Sequence, residues 1–277
     1  MSFVAIIGSG ALGGAIAHAL ALRDRIREIR LIDSEERIAQ GKALDIRQSS
    51  PIDQFATLVV GSGATAAVAG ATAIVIADAA SGSGEISGEG GLSLLRHIAA
   101  IEPKAPIVCA GGSQRDLIAR GVVELHIPQT RIIGSSPAAL ESALRALAAL
   151  SIDSSGVPVA LIVVGVPPDK AVVAWEEATV SGQPLTSHLP PHVIAGLNAR
   201  LRGLWPPGPY SLGSAAADVV DAIVLGSRRR YSCFVHVRNG RVAAMPVELG
   251  GDGVTRLIEP VLTRQERTRL ENAIENC

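Results

Sequence analysis

Short apolar runs alternate with longer helix-like stretches through the first half of the chain. The first run, Phe3–Ile7, has five apolar residues in a row, as expected of a strand that is buried on both faces. Comparable runs predict five further strands, at 29–32, 56–60, 71–77, 105–110 and 131–134. Helices are predicted between them at 11–23, 35–48, 92–101 and 114–120. This alternation is typical of βαβ units, and right-handed crossovers then give an α/β fold with a doubly wound parallel sheet.

The pattern changes after residue 134. Helices are expected at 137–150, at 215–225 and from Thr263, where Glu266 three residues on completes a capping box. Strand-like runs follow at 157–166, 170–175, 231–237 and 242–247, and the last two flank Asn239-Gly240, a strong hairpin signal. We therefore expect residues 135–277 to form a C-terminal α+β domain, after a first domain of residues 1–134.

A glycine motif follows the first strand. Gly8 permits a tight turn, Gly10 lets a pyrophosphate approach the backbone, and Gly13 lets the helix pack closely on the strand. Free N–H groups at the helix N-terminus then face the phosphates, so Ala11 and Leu12 join the three glycines as candidate cofactor residues. The first domain is thus predicted to be a dinucleotide-binding Rossmann domain.

The second predicted strand ends at Asp33. This carboxylate lies about 20 residues beyond the last motif glycine, the spacing at which dinucleotide folds bind the adenine ribose hydroxyls. Ser34, Glu35 and Glu36 bring no positive charge for a ribose phosphate, so NAD is favoured over NADP. The alternative is that Asp33 merely caps the next helix. Ligands bind at the carboxyl ends of parallel strands, which are here Gly8, Asp33, Asp78, Gly111-Gly112 and Gly134-Ser135.

Composition excludes several classes of function. A net charge of −1 argues against nucleic acid as a partner, and the one basic run, 228–230, stands alone. No apolar run is long enough to cross a bilayer, and the chain enters a strand at once, so we expect no signal peptide, no membrane partner and a cytoplasmic location. Cys109, Cys233 and Cys277 are far apart and odd in number, which argues against a disulfide framework and a metal site. The first two lie in apolar runs and are predicted to be core.

Over nearly its whole length the chain resembles the lactate/malate dehydrogenase family. The resemblance rests on the glycine motif 7–13, Leu31-Ile32-Asp33, and three further segments: Gln40-Gly41-Lys42-Ala43-Leu44-Asp45-Ile46, Arg131-Ile132-Ile133-Gly134 and Pro246-Val247-Glu248-Leu249-Gly250-Gly251-Asp252-Gly253-Val254. It implies NAD as cofactor, with Ala77 and Gly111 as additional cofactor contacts. It also implies a second domain of the family's type and a homodimer or homotetramer, with helices near 40–47 and 215–225 in the subunit contact.

The family's chemistry requires residues that are replaced here. Oxidation of a 2-hydroxy acid needs a base for the hydroxyl proton, which a histidine oriented by a carboxylate supplies, and guanidinium groups for the substrate carboxylate and the developing alkoxide. The family's Gly-His-Gly-Asp turn corresponds to 165–169, where Pro167 stands at the histidine position. In the family's Leu-Asp-Ser-x-Arg helix, Glu141 replaces the aspartate and Leu144 the arginine. The family's basic mobile loop corresponds to 79–85, which has no basic residue, and its Asn-Pro corresponds to 111–113.

Substitute catalytic residues are weakly indicated. Glu141 and Asp169 are candidates by position alone, with Lys170, Ser135 and Ser136 as further polar residues of the same cleft, and ordinary polar lining is the simpler interpretation. His18 lies among alanines in the first helix and is predicted to pack under the sheet.

Three hypotheses follow. The first is a nucleotide-binding protein of the dehydrogenase fold that has lost its original activity and acts as a binding, regulatory or assembly subunit, with another protein as a candidate partner. The second is an NAD-dependent oxidoreductase for a less anionic substrate. The third, a structural protein that no longer binds nucleotide, is disfavoured by the glycine motif together with Asp33.

Overall fold

The computed structural model describes residues 2–82, 84–152, 158–238 and 240–276. Its first half alternates strands and helices as the sequence predicts. The elements are β1 (Phe3–Ile7), α1 (Ala11–Arg23), β2 (Glu28–Ile32), α2 (Glu36–Asp53), β3 (Leu58–Ser62), β4 (Ala73–Ile76), α3 (Gly88–Ile101), β5 (Ile107–Cys109), α4 (Arg115–Val123) and β6 (Ile132–Gly134).

These six strands form a parallel sheet in the order β3-β2-β1-β4-β5-β6. The order reverses at β1, whose last residue, Ile7, pairs with Ile32 on one side and Ile76 on the other. The predicted doubly wound sheet is thereby confirmed, and its carboxyl edge brings the ends of β1, β2 and β4 together at the switch point where such folds bind ligands.

The second half contributes shorter helices and antiparallel strands. The elements are α5 (Ser136–Ser151), β7 (Val159–Ala160), β8 (Val163–Val166), β9 (Lys170–Val173), β10 (Thr179–Val180), β11 (Gln183–Pro184), α6 (Pro191–Arg200), α7 (Pro209–Leu225), β12 (Arg230–Arg238), β13 (Arg241–Gly250), β14 (Gly253–Leu257) and α8 (Arg264–Glu275).

The main sheet continues without a break into the second half. Phe234 of β12 pairs antiparallel with Gly134 of β6, and β13, β8 and β9 extend the sheet, with β14 beside β13, to eleven strands among the described residues. The small strands β11, β10 and β7 form a separate sheet. The domain division at 134/135 falls between β6 and α5 and stays a prediction.

Two local predictions for the second half are confirmed. The hairpin joins β12 to β13 through Gly240, which has φ +74°, while Asn239 lies outside the described residues. The capping box at α8 is present, because the Thr263 hydroxyl accepts from the N–H of Glu266 (3.2 Å) and the Glu266 carboxylate accepts from the N–H of Thr263 (2.8 Å).

Hydrophobic cores cover both faces of the sheet. One face packs against α1, α2 and α7, the other against α3 and α4, and a third cluster lies between α5, β8 and β9. Cys109 and Cys233 are fully buried, as predicted, and burial with the nearby Glu85 charge raises the pKa of Cys109 to about 12. Within the described part of the chain, no helix combines the length and the apolar character needed to span a membrane.

Helix α7 is apolar on most of its circumference, but this surface does not need a partner subunit to cover it. Ten of its residues are buried, with α1, α5 and β13 packed against it in the same chain. The outer positions are polar or solvent-facing, as at Ser214 and Asp218. The place of 215–225 in a subunit contact, which the resemblance implies, stays a prediction.

Candidate functional site

The glycine loop has the tight turn that its sequence predicts. Gly8 has φ +99°, in the region that favours glycine, and a side chain there would overlap the carbonyl of Asp78. At Gly13 a side chain would overlap the carbonyl of Gly8. Two of the motif glycines are thus required for the loop to close onto the end of β4.

Asp33 is buried against this loop. Its Oδ2 accepts from the N–H of Ser9 and of Ala80 (both 2.8 Å), and its Oδ1 accepts from the N–H of Glu35 (3.0 Å). Burial by itself raises the pKa of Asp33, but these hydrogen bonds outweigh it and hold the pKa below its usual value. Because two of the donors lie outside the segment leading into α2, Asp33 does more than cap that helix.

A cavity of about 190 Å³ opens beside Asp33. Its walls are mainly apolar, with this single acidic side chain among them, and the residues are Ile7, Gly8, Ile32, Asp33, Ser34, Gly63, Thr65, Ala79, Ile86 and Leu94. Apolar walls suit a purine base, and a carboxylate accepts hydrogen bonds from ribose hydroxyls. The lining of the cavity is therefore of the kind that the predicted binding of adenosine at Asp33 needs, and that contact stays a prediction.

The phosphate half of the site is different. The N–H of Leu12 donates to Oδ2 of Asp78 (3.1 Å), the N–H of Gly13 donates to its Oδ1 (2.9 Å), and the N–H of Gly10 donates to its backbone carbonyl (2.9 Å). A side chain at Gly10 would overlap the Asp78 carboxylate. In this conformation the donors expected to receive a pyrophosphate are already occupied.

A lysine lies close to the same loop. Lys42 of α2 donates through Nζ to the carbonyls of Ser9 (2.7 Å) and Gly10 (2.5 Å). In the sequence Lys42 stands out only as part of a family-like segment, because nothing in a sequence shows that α2 passes the glycine loop.

The other two predicted cofactor residues lie at the ends of β4 and β5. Ala77 is fully buried; its N–H donates to Ile7 and its carbonyl accepts from Ile86. The N–H of Gly111 donates to the Gln114 side chain (2.8 Å). Beside it, Glu85 accepts from the N–H of Gly112 and of Ser113 (both 2.7 Å). Ala77 and Gly111 line the edge where they were predicted, and their contact with a cofactor stays a prediction.

The residues predicted to stand at the family's catalytic positions supply neither a proton acceptor nor a cation. Pro167 is buried in the turn between β8 and β9. Leu144 is completely buried in the apolar cluster under α5. The residue predicted to replace the substrate-binding arginine is thus part of a hydrophobic core.

The two weak candidates have unrelated surroundings. Glu141 is buried, is paired with Arg145 and accepts from the Ser232 hydroxyl. Burial raises the pKa of Glu141, opposed by the Arg145 charge and the hydrogen bonds. Asp169 is exposed and pairs with Arg202 (3.0 Å). The described contacts give these two carboxylates no shared partner, so they do not form an acid–base pair.

The three further polar residues predicted to line the cleft lie in different surroundings. Lys170 donates to the carbonyl of Asn276 (2.7 Å) at the surface. Ser135 and Ser136 are completely buried, and their hydroxyls have no hydrogen-bond partner among the described residues. Their role in a cleft stays a prediction.

An apolar wall that the sequence analysis did not identify stands near β5. Trp205 and Pro206 approach Gly112, and the Trp205 ring meets Phe234 edge to face, with ring centroids 5.9 Å apart. Only the tertiary fold brings the segment before α7 to this edge, so no local signal marked it.

The prediction for His18 is wrong. Its side chain is 46% exposed, with Nε2 3.7 Å from the Asp53 carboxylate, because it lies on the outer face of α1. It lines a second cavity, of about 380 Å³, with Lys42, Asp45, Ser49 and Tyr210. Across the described residues, no group of three or more His, Cys, Asp or Glu side chains is arranged to hold a metal ion.

Comparison with known proteins places this geometry in context. The family model described as lactate/malate dehydrogenase, NAD binding domain, matches residues 3–101. Malate dehydrogenase of Thermomicrobium roseum is 29% identical over 98% of this chain and 94% of its own, and L-lactate dehydrogenase A of Rhizopus oryzae is 28% identical over 99% and 90%. The solved structure of malate dehydrogenase from Salinibacter ruber superposes with a TM-score of 0.86 at 24% identity, covering 99% of this chain and 94% of that one.

Proposed function

Because this chain belongs to the lactate/malate dehydrogenase family, whose cofactor is NAD, we propose that it binds NAD(H) but has lost 2-hydroxy-acid dehydrogenase activity and serves as a binding or regulatory protein. The observation that carries the proposal is Pro167, buried at the position that corresponds to the family's histidine. When hydride leaves the substrate carbon the hydroxyl proton must also leave, and proline has no group that accepts it.

The surroundings support the same conclusion. Leu144 lies in an apolar core and has no donor for a carboxylate, whereas an arginine would bind one with two parallel hydrogen bonds. The segment corresponding to the family's basic loop presents Glu85 to the Gly112–Ser113 turn. An anionic keto acid would therefore meet a negative charge where the family supplies positive ones.

The test is NADH depletion with oxaloacetate and pyruvate as substrates. We expect turnover below about 1 s⁻¹, the low end for typical enzymes, since loss of a general base alone costs about 10²–10⁴-fold. A malate dehydrogenase assayed in parallel checks the reagents. Faster turnover on either keto acid would show that this chain retains the family's activity.

A second candidate is an NAD-dependent oxidoreductase for a less anionic carbonyl or alcohol. The apolar wall of Trp205 and Pro206 beside Gly112, in a site without guanidinium groups, favours this alternative. Uncharged ketones and aldehydes belong in the same assay. If one of them is turned over, Glu141→Gln and Asp169→Asn would identify the acid that replaces the histidine.

A further inference from the structure

The N–H groups at the start of α1 already have an anionic partner from the same chain. We propose that Asp78 is an internal competitor for the dinucleotide pyrophosphate, so that NAD reaches these donors only when the Asp78 carboxylate leaves them. The inference rests on the proposed binding of NAD(H) and adds a residue that sets its strength and its preference among adenine ligands.

Asp78 occupies the donors and the space that a pyrophosphate would use. The Asp78 carboxylate accepts from the N–H of Leu12 and of Gly13, one through each oxygen, at 3.1 and 2.9 Å. Each N–H has a single proton, and at a helix N-terminus these are the groups that bind phosphate oxygens. The carboxylate also fills the space above Gly10 that the missing side chain leaves free. Asp78 and a pyrophosphate therefore compete for both the donors and the volume.

The charge of the site also opposes a pyrophosphate while Asp78 is in place. Asp33 is buried nearby and is held ionised by its backbone hydrogen bonds, so the site already contains two carboxylates. The one nearby lysine, Lys42, is directed at the carbonyls of Ser9 and Gly10. A pyrophosphate entering without displacement of Asp78 would face like charges in a half-buried site, where screening by water is weak.

A second carboxylate from the segment after β4, that of Glu85, occupies the turn that follows β5. Asp78 and Glu85 form an isolated antiparallel bridge, and Glu85 accepts from the N–H of Gly112 and of Ser113 at the end of β5. A side chain at Gly111 would overlap the Glu85 carboxylate. The segment after β4 thus places one carboxylate on the phosphate donors and another on the turn that follows β5.

The adenosine cavity is free of this competition. The wall beside Asp33 is built from Ile7, Ile32, Ile86 and Leu94, and neither Asp78 nor Glu85 lines it. A ligand without phosphates should bind there whether or not Asp78 is present. Adenosine and NAD⁺ therefore respond differently to removal of the carboxylate.

The experiment is calorimetric titration of the full chain with NAD⁺ and, separately, with adenosine. We compare the wild type with Asp78→Ala and with Asp78→Asn, which retains the shape and removes the charge. Because two charge-assisted hydrogen bonds are released for the ligand, we expect Asp78→Ala to bind NAD⁺ at least about 10-fold more tightly, and Asp78→Asn to change affinity in the same direction. Adenosine affinity should stay within about two-fold.

Asp24→Asn is the matched control. Asp24 also accepts two backbone N–H groups, from Ala56 and Thr57, but at the far end of α1. We expect it to leave the affinity for NAD⁺ unchanged. Equal NAD⁺ affinity in the wild type and both Asp78 variants, or weaker binding in the variants, would overturn the competition while leaving NAD binding intact. If neither ligand binds any of the folded proteins at millimolar concentration, the proposed function fails as well.

Discussion

Asp33 is the residue expected to distinguish NAD from NADP. Its carboxylate faces the adenosine cavity, and the exposed Glu35 and Glu36 beside it repel a ribose phosphate. We expect Asp33→Ala to weaken NAD⁺ about 10-fold or more, because charged hydrogen bonds to the ribose are lost, and to narrow the gap to NADP⁺. Titration of the wild type and Asp33→Ala with both nucleotides measures these affinities, and Asp45→Asn on the outer face of α2 is the control. No thermal shift of the wild type with either nucleotide at millimolar concentration would contradict the assignment.

Glu141 gives a prediction about pH. Burial raises the pKa of Glu141 in the folded state above its usual 4.5, so the folded chain binds this proton more tightly than the unfolded chain. Its contribution to stability therefore falls as pH rises from about 4.5 through the raised pKa, and levels off above it. Glu141→Gln should remove this dependence and should be more stable than the wild type at neutral pH. Arg145, which it leaves unpaired, is 42% exposed and can be hydrated.

Glu124→Gln is the control for that experiment. Glu124 also forms an (i, i+4) pair with an arginine, Arg120, but at the surface, and Arg120 lowers the pKa of Glu124. The sign is therefore opposite: its contribution is present above about 4.5 and is lost as pH falls through the lowered pKa. Urea unfolding across about pH 3–8 measures both variants, since the Glu124 contribution changes only below about pH 4.5. The same pH profile for Glu141→Gln and the wild type would show that burial does not perturb Glu141.

Asp78 shows what residue-level sequence reasoning could and could not find. The sequence identified Asp78 as the end of a strand on the ligand edge, and it identified the α1 donors from the glycine motif. It could not join them, because the carboxylate of residue 78 meets the N–H groups of residues 12 and 13 only after β4 pairs with β1. The same holds for Lys42, whose target carbonyls are more than thirty residues away in the chain.

The observed bounds of the helices and strands agree with the predicted ones where local signals are strong, and differ where tertiary contacts determine them. Helix α1 has the predicted bounds, whereas α2 continues through Pro51 to Asp53, and β3 starts two residues later than predicted. Gly61 lies within the observed strand and beyond the predicted one, and a side chain there would overlap the backbone of α2 at Ala39 and Gln40. Glycine at this position is therefore required for β3 to pack against α2.

Helices α1 and α7 are joined by a largely buried ion pair. Asp221 is paired with Arg23 (3.1 Å) and Arg25 (3.5 Å), and its side chain is only 7% exposed. We expect Asp221→Ala to lower the free energy of unfolding by about 1–3 kcal/mol, because the half-buried guanidinium of Arg23 loses its buried partner and keeps only the exposed Asp218 and the Ser214 carbonyl. Asp218, which binds Arg23 from a 53% exposed position, is the matched control, and Asp218→Ala should cost under about 1 kcal/mol. Urea unfolding measures both losses of stability. Equal losses for Asp221→Ala and Asp218→Ala would show that burial of Asp221 does not strengthen its ion pair.

At the scale of the whole molecule, the doubly wound sheet was predictable and its extension was not. Strand–helix alternation specified the parallel half, but no local signal indicated that the antiparallel runs of the second half would continue the same sheet. β12 joins that sheet at β6 through Phe234 and Gly134. Hydrophobic periodicity identifies strands without identifying their neighbours, and pairing across a hundred residues depends on the folded chain.

The last prediction concerns assembly. Helix α7 is covered by its own chain, so association is predicted from exposed apolar residues on and beside α2. Leu44 and Ile52 of α2 are 52% and 82% exposed, and Tyr210 at the start of α7 is 83% exposed. Lys42 and Asp45 of α2 line the same cavity as Tyr210, so α2 and the start of α7 share one surface. We propose that this surface lies in a homodimer, the simplest closed assembly, or in a homotetramer built from it.

Sedimentation should then give at least twice the 28.5 kDa of the chain at micromolar concentration. Leu44→Asp and Tyr210→Asp should each shift the protein towards 28.5 kDa, because a charge buried in an apolar contact opposes association. Leu257→Asp is the control, since Leu257 is similarly exposed, at 48%, but lies on β14. A wild-type monomer would refute the assembly, and dissociation by the control alone would place the interface on β14 instead of α2.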